Sequence, residues 1–288
     1  MRLKVALIAL VACAPGCGGG RPAATTTPRH ATHGAAGVRV GVVGPLDLRV
    51  PGAVVAHGPL GTMPGYRLVV VSADADDAAT VAAAADAHPN AHYALVGSPT
   101  RGYHRPNVVG LVLREDQAAF LAGVVAALVA VDEGGTVKRV AWVGPQERAL
   151  ARAFSRGAHS IDPGIGILLA WSGARPAACK EAALGSIARG AVVVLAHAGT
   201  CADAAIAGAH QLNHVGLRLA DFELPDVAAT QIVREALGGV YHGGEDIVFG
   251  AESGAIGVNR LDPRISAATA IDARTAAQDL SNGRRPGR

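Results

Sequence analysis

An apolar strand that runs directly into an almost wholly apolar helix is the feature that most constrains the fold: "NVVGLVLREDQAAFLAGVVAAL", residues 107–128. A strand without polar alternation is typical of a parallel sheet, where both faces are buried. A helix without a polar face needs apolar neighbours on every side. Both requirements are met when the helix packs between a parallel sheet and other helices. The segment therefore predicts an α/β fold and a crossing point between two lobes.

Two details of this helix follow from its sequence. Glu115 and Asp116 lie in its first turn, where negative charge complements the helix dipole. Gly123 lies near its middle, where glycine costs about 1 kcal/mol relative to alanine. Such a residue is favoured where another element approaches the helix backbone closely. We therefore expect tight packing at Gly123.

The same strand-and-helix order recurs from residue 38 onward. Runs rich in Val, Ile and Leu predict strands at 38–44, 66–73, 91–97, 107–113, 137–144, 164–171, 191–198 and 214–220. Alanine-rich stretches between and after them predict helices at 77–87, 116–130, 147–158, 178–189, 201–213 and 226–238. This order is typical of a doubly wound α/β fold with mostly parallel sheets and flanking helices. Ligands of such sheets bind at the carboxyl ends of the strands.

The N-terminus has the pattern of an export signal. "MRLK" is basic, and the apolar stretch "VALIALVACAP" is shorter than the roughly 20 residues that span a bilayer. The ending "APGCGGG" resembles a bacterial lipoprotein signal, which predicts acylation (palmitate) at Cys17, with Cys13 as the alternative. A cleaved signal without lipid is a further possibility. Residues 1–17 are then the signal peptide and residues 18–37 a flexible tether.

Beyond the signal, the chain has two cysteines, Cys179 and Cys201. An exported protein enters an oxidising compartment, where an even pair favours a disulfide. The bridge would close a loop of about 20 residues and contribute about 3 kcal/mol. Two buried free thiols are the alternative. The spacing lacks the CxxC pattern of a metal site.

Several classes of function find no support in the sequence. The formal charge is +3 without clustered basic residues, which argues against nucleic-acid binding. The chain has no G-x-S-x-G elbow, no GxxxxGK[ST] loop and no HExxH motif. We therefore expect neither an enzyme with catalytic residues nor a bound cofactor.

Two histidine pairs have the four-residue spacing of metal ligands on a helix: His88 with His92, and His210 with His214. Pro89 breaks the first pair, and the second crosses from a helix end to a strand start. We interpret them as solvated turn histidines and expect no metal site.

Six segments in order carry a family resemblance. They are "AAAADAHPNAHYALVG", "PNVVGLVLREDQAAFLAG", "RVAWVG", "FSRGAHSIDPGIGI", "CKEAALGSIARGAVVVLAHAGTC" and "ALGGVYHGGEDIVFGAESGAIGV". Together they resemble the basic membrane protein family of ABC-transporter substrate-binding lipoproteins, which includes bacterial nucleoside-binding proteins. The resemblance covers roughly residues 66–285.

The resemblance implies the type I periplasmic-binding-protein fold, with two Rossmann-like lobes joined by crossing strands. It divides the chain into an N-terminal lobe (38–114), a C-terminal lobe (115–220) and a return to the first lobe with a tail (221–288). Such lobes close on a ligand by a hinge motion and deliver it to a membrane permease. In the family, the ligand is commonly a purine nucleoside, with its base between aromatic rings and its ribose held by carboxylates.

Some family positions differ in this chain. The segment "PLDLRVPGAVVAHGPLG" after the first strand contains no aromatic residue and is too short for the usual helix and second strand, which predicts a shortened lobe. Gly97 stands where the family often has Asp, and Arg218 follows the later Gly-Leu strand end. The remaining ligand-binding candidates, with Tyr103 and Phe222 as stacking rings, are Gly144, Gly199, Thr200, Asp221, Phe222 and Tyr103.

These observations predict a lipid-anchored solute-binding protein of an ABC importer, on the extracytoplasmic face of the cell membrane. Its partners would be a nucleoside-like or other small polar metabolite, the ABC permease, and the bilayer through the acylated cysteine. The alternative is a degenerate family member that has lost its small-molecule ligand and contacts another envelope protein.

Overall fold

Two parallel sheets form the framework of the computed structural model, which describes residues 37–286 except Pro64, Gly134, Val137, Ala174 and Ala198. The predicted signal peptide and tether, with Cys13 and Cys17, lie outside the described residues. The strands are β1 (Val38–Val43), β2 (Ala53–His57), β3 (Leu68–Ser72), β4 (His92–Val96), β5 (Val108–Leu113), β6 (Arg139–Gly144), β7 (Gly166–Trp171), β8 (Val193–Ala196), β9 (Val215–Arg218) and β10 (Glu245–Phe249).

The first sheet has six strands in the order β10-β5-β4-β3-β1-β2, and the second has four in the order β7-β6-β8-β9. All neighbouring strands are parallel. The helices are α1 (Ala78–Ala87), α2 (Glu115–Asp132), α3 (Arg148–Ile161), α4 (Pro176–Ala188), α5 (Gly199–Gln211), α6 (Pro225–Leu237) and α7 (Ala267–Ser281). The predicted α/β fold with parallel sheets and flanking helices is confirmed.

The chain builds the two sheets in turn and then returns to the first. Strands β1 to β5 lie in the first sheet, and β6 to β9 form the second. Helix α6 then packs on β1, β3, β4 and β5, and β10 pairs with β5 at the edge of the first sheet. Helix α7 packs against α2. The apolar pattern had predicted neither β10 nor α7.

The expectation that no second strand fits after β1 is wrong. Strand β2 pairs with β1 from Val38↔Ala53 to Val42↔His57. An extended segment connects these parallel strands in place of a helix. Its alternate residues are buried, with Leu46 at 3% exposure, Leu48 at 4% and Val50 at 6%. The segment thereby covers the sheet where a helix would otherwise pack, so only the helix is missing from this part of the lobe.

Helix α2 is enclosed by protein, as its sequence predicts. It packs against α3, α7, β6 and β8, and eleven of its residues are buried. Its contact with α3 depends on two glycines. A Cβ added to Gly123 would collide with the carbonyl oxygen of Phe154, and one added to Gly157 would collide with that of Phe120. The predicted close approach at Gly123 is confirmed, and the approach is backbone to backbone.

A disulfide joins α4 to α5 in the structure. The Sγ atoms of Cys179 and Cys201 are 2.08 Å apart, and their Cα atoms are 5.4 Å apart. Both residues belong to a cluster of small buried side chains between these helices and the second sheet, which includes Ala141 and Val194. The bridge therefore links two helices that pack on the second sheet. Among the helices of residues 37–286, none has the length and apolarity that crossing a bilayer requires.

Candidate functional site: a cavity at the carboxyl ends of both sheets

A cavity of about 470 Å³ lies where strands of both sheets end. The first sheet contributes residues at the ends of β3, β4 and β5, namely Ser72, Ala73, Asp74, Val96, Gly97, Leu113 and Glu115. The second contributes residues after β8 and at or after β9, including His197, Gly199, Asp203, Arg218 and Glu223. The cavity thus occupies the position where ligands of open parallel sheets bind.

The charges lining this cavity are mainly negative. Among the described lining residues, Asp74, Glu115, Asp203 and Glu223 oppose a single guanidinium, that of Arg218. Arg218 is already paired, since its Nη2 lies 2.8 Å from Oδ1 of Asp203. Within the part of the chain that the structure describes, the other three carboxylates form no ion pair.

Glu223 has a perturbed carboxyl group. Burial raises the pKa of its carboxyl group from 4.5 to about 7, with additional contributions from the negative charges of Glu115 and Asp74. The residue follows a short 3-10 turn (Leu219–Phe222) and precedes α6. Its backbone is fixed there by a bridge to Ile256. The fold thus holds a carboxylate in a partly buried position close to two others.

A second group of side chains meets beside the cavity. Nε2 of His197 lies 3.1 Å from Oε2 of Glu147, and the ligand atoms of Glu115, Glu147 and His197 all lie within 4.8 Å of one another. These residues have the chemistry to ligate a metal ion, although the sequence predicts no metal site. They follow three different strands, β5, β6 and β8, so their spacing in sequence gives no signal.

Three of the predicted site residues lie at or beside the cavity. Gly199 lines it at the start of α5. Gly144 does not line it, but a Cβ at this position would collide with His197, so the glycine lets His197 lie against the end of β6. Thr200, the next residue in α5, is exposed and outside the lining.

The other three predicted residues lie away from the cavity surface. Asp221 accepts a hydrogen bond from the backbone nitrogen of Arg218 at 3.1 Å and so caps the turn that carries it, and burial raises its pKa. Phe222 is fully buried in the core, and Tyr103 is 44% exposed in the loop before β5. Neither ring lines the cavity. Among its described lining residues, the imidazole of His197 is the only aromatic ring.

The predicted solvation of the turn histidines is wrong for two of the four. Nε2 of His210 lies 2.6 Å from Oδ2 of Asp262, a carboxylate whose side chain is 1% exposed. The ring of His92 stacks on Tyr241 with 4.1 Å between the centroids. Both histidines therefore have structural contacts that attach later parts of the chain, through His210 to helix α5 and through His92 to strand β4.

Two parallel sheets whose strand ends meet at a shared cavity form a fold like that of the periplasmic binding proteins, and solved structures with different roles share it. A solute-binding protein of an ABC transporter system from Conexibacter woesei DSM 14684 has the same fold, with a TM-score of 0.58 and 17% identity over 85% of this chain and 97% of that one. One from Aeropyrum pernix K1 gives a TM-score of 0.51 and 16% identity, over 85% and 92%.

A transcriptional activator of the comK gene from Bacillus halodurans also has this fold, with a TM-score of 0.58 and 11% identity over 87% of this chain and all of that one. No curated protein sequence matches the chain significantly.

The family is established by the sequence itself. Residues 63–217 match the model of the Bmp family, described as ABC transporter substrate-binding protein PnrA-like. This match covers more than half of the chain, and the protein belongs to this family. The family consists of extracytoplasmic substrate-binding proteins, which bind small solutes for ABC permeases and are not enzymes. The predicted family is confirmed.

Proposed function

We propose that the protein is the lipid-anchored solute-binding component of an ABC importer and that it binds a nucleoside-like or other small polar metabolite in the cavity described above. The observation that carries this proposal is the cavity of about 470 Å³ at the strand ends of both sheets. Its volume lies within the roughly 300–1,000 Å³ that is usual for small-molecule sites. The family match supports the same function.

In this proposal the two lobes close on the solute. Residues 38–114 and the returning segment 221–288 form one lobe, and residues 115–220 form the other. The lining residues belong to both lobes, so a bound solute would contact both and favour the closed state. The closed, loaded form is the one that the permease would recognise.

The membrane attachment belongs to the proposal as well. Acylation of Cys17, with Cys13 as the alternative site, would hold the domain at the extracytoplasmic face, and residues 18–37 would serve as the tether. A tether of about 20 flexible residues reaches roughly 25 Å, which lifts the domain off the bilayer.

A thermal-shift screen of the mature protein against nucleosides, bases and small polar metabolites tests the ligand proposal. A hit should raise the melting temperature, since a ligand that binds only the folded state stabilises it by about 2.7 kcal/mol at one hundred times its Kd. Isothermal titration calorimetry then gives the stoichiometry, which should be one. If no compound in a broad screen stabilises the protein, the chain is better explained as an envelope interaction protein.

A further inference from the structure

The acidity of the cavity is local. The whole chain carries a formal charge of +3, whereas four carboxylates and one arginine line the cavity. The arginine in the lining and the arginine that precedes Glu115 both form ion pairs with other carboxylates. Arg218 contacts Asp203, and Arg114 contacts Asp116 at 2.8 Å. A surplus of negative charge therefore faces the space that a solute would fill.

Three carboxylates in this space have no partner of opposite charge among the residues that the structure describes. Asp74 follows β3, Glu115 begins α2, and Glu223 precedes α6. Between residues 37 and 286, leaving aside the few positions not described, none of the three accepts a side-chain hydrogen bond or forms an ion pair. Grouped like charges destabilise one another, and burial makes the ionised form of Glu223 more costly still. A positively charged group between them would relieve both effects.

The remaining lining favours an organic molecule over a bare ion. A cavity of about 470 Å³ is far larger than one hydrated metal ion needs. Apolar side chains at the ends of β4 and β5 and in the turn after β9, Val96, Leu113 and Leu219, line the cavity with the carboxylates. A molecule with an apolar body and a cationic end matches this combination. The described lining offers no Phe, Tyr or Trp on which a purine base would stack.

We propose that the solute bound in this cavity is a small organic cation, an amine or guanidinium compound, whose charge is neutralised by Asp74, Glu115 and Glu223. The inference rests on the proposed solute-binding function and narrows it to a ligand class. Charge-assisted hydrogen bonds to carboxylates are roughly twice as strong as neutral ones, so they would supply much of the affinity.

Matched pairs of probes test the charge directly. Isothermal titration calorimetry with the mature protein compares 1,4-diaminobutane with 1,4-butanediol, and 1,5-diaminopentane with 1,5-pentanediol. Agmatine, a panel of further amines, inosine, Zn²⁺ and Mn²⁺ complete the set. We expect binding by at least one amine or guanidinium compound, at least tenfold weaker binding by its uncharged analogue, and affinity that falls with added salt because exposed charges are screened.

Substitutions of single carboxylates show which of them bind the cation. Glu223→Gln and Asp74→Asn keep the side-chain shapes, and each should weaken cation binding at least tenfold. Glu223→Asp should retain more affinity than Glu223→Gln, because it keeps the charge. Glu181→Gln removes an exposed carboxylate on α4 and should leave the affinity unchanged. Circular dichroism of each variant verifies that it is folded.

Each other outcome has a distinct meaning. Binding of inosine or another neutral solute with no cation binding would overturn this inference and leave solute binding intact. Binding by Zn²⁺ or Mn²⁺ alone, lost in Glu147→Gln, would overturn it in favour of a metal site at Glu115, Glu147 and His197. If no probe binds at all, this inference fails, and the thermal-shift screen described above decides separately whether the proposed function fails.

Discussion

Replacing Glu223 with glutamine should stabilise the ligand-free protein strongly at pH 8 and only slightly at pH 5. The carboxyl group of Glu223 has a pKa of about 7 in the folded protein, compared with its ordinary value of 4.5, because it is buried and lies near Glu115 and Asp74. An amide of nearly the same shape removes the charge. It therefore removes the cost of ionising this group in the folded state.

The magnitude follows from linkage between ionisation and folding. A change of one unit in pKa corresponds to 1.36 kcal/mol, so the gap between 4.5 and about 7 corresponds to about 3 kcal/mol. Because folding raises this pKa, the folded protein binds more protons than the unfolded chain between pH 4.5 and 7, and stability falls as the pH rises through this window. Glutamine should therefore add up to about 3 kcal/mol at pH 8 and less than about 1 kcal/mol at pH 5.

Urea unfolding of wild-type protein and Glu223→Gln at both pH values measures this difference. Glu181→Gln, an exposed carboxylate on α4, is the control and should show no comparable dependence on pH. Equal stabilisation by Glu223→Gln at pH 5 and pH 8 would refute the reasoning, because the effect would then not arise from ionisation. Destabilisation at pH 8 would refute it as well, since it would reveal that the charged form makes favourable contacts.

Three further predictions concern packing, the disulfide and the anchor. Gly157→Ala should lower the unfolding free energy by about 2–3 kcal/mol, as overpacked cores do, since its methyl group would meet the backbone of Phe120. Gly185→Ala in α4 meets no atom within 4 Å and should be neutral or stabilising. Differential scanning calorimetry of both variants measures the difference, and equal losses in both would exclude a packing cause. Reduction with dithiothreitol should cost about 3 kcal/mol by breaking Cys179–Cys201, and an unchanged melting temperature would contradict this. Cys17→Ala should release the protein from membranes and abolish palmitate labelling, whereas persistent labelling would move the anchor to Cys13.

The fold could be predicted from the sequence wherever a strand is buried on both faces. Strands β3, β4 and β8 are continuous apolar runs, and their predicted bounds differ from the observed ones by one or two residues. Strand β10 was not predicted because it begins with Glu245 and Asp246 and is only partly buried. Oδ1 of Asp246 accepts hydrogen bonds from a residue distant in the chain, Thr100, whose backbone nitrogen lies 2.8 Å away and whose hydroxyl lies 2.7 Å away.

The sequence predicts where in the fold the candidate site lies, but it does not predict which side chains line the site. Strand ends identify the region, as Gly199 shows. Which side chain faces the cavity depends on tertiary contacts that local sequence does not specify. Phe222, an apolar residue in a polar loop, turns into the core, and its neighbour Glu223 faces the cavity. His197 and Glu147 meet only because β6 and β8 are neighbours in the second sheet.

Arg114 is the single residue between β5 and α2, and this position makes it a pivot between the strand and the helix. Strand β5 pairs with β4 in the first sheet, whereas α2 packs against α3 through close backbone contacts at Gly123 and Gly157. If the second sheet rotates relative to the first, α2 rotates with the second sheet. Glu115, the first residue of α2, would then move little, because it adjoins the pivot. A solute held by Glu115 would therefore keep this contact while the second sheet closes over it.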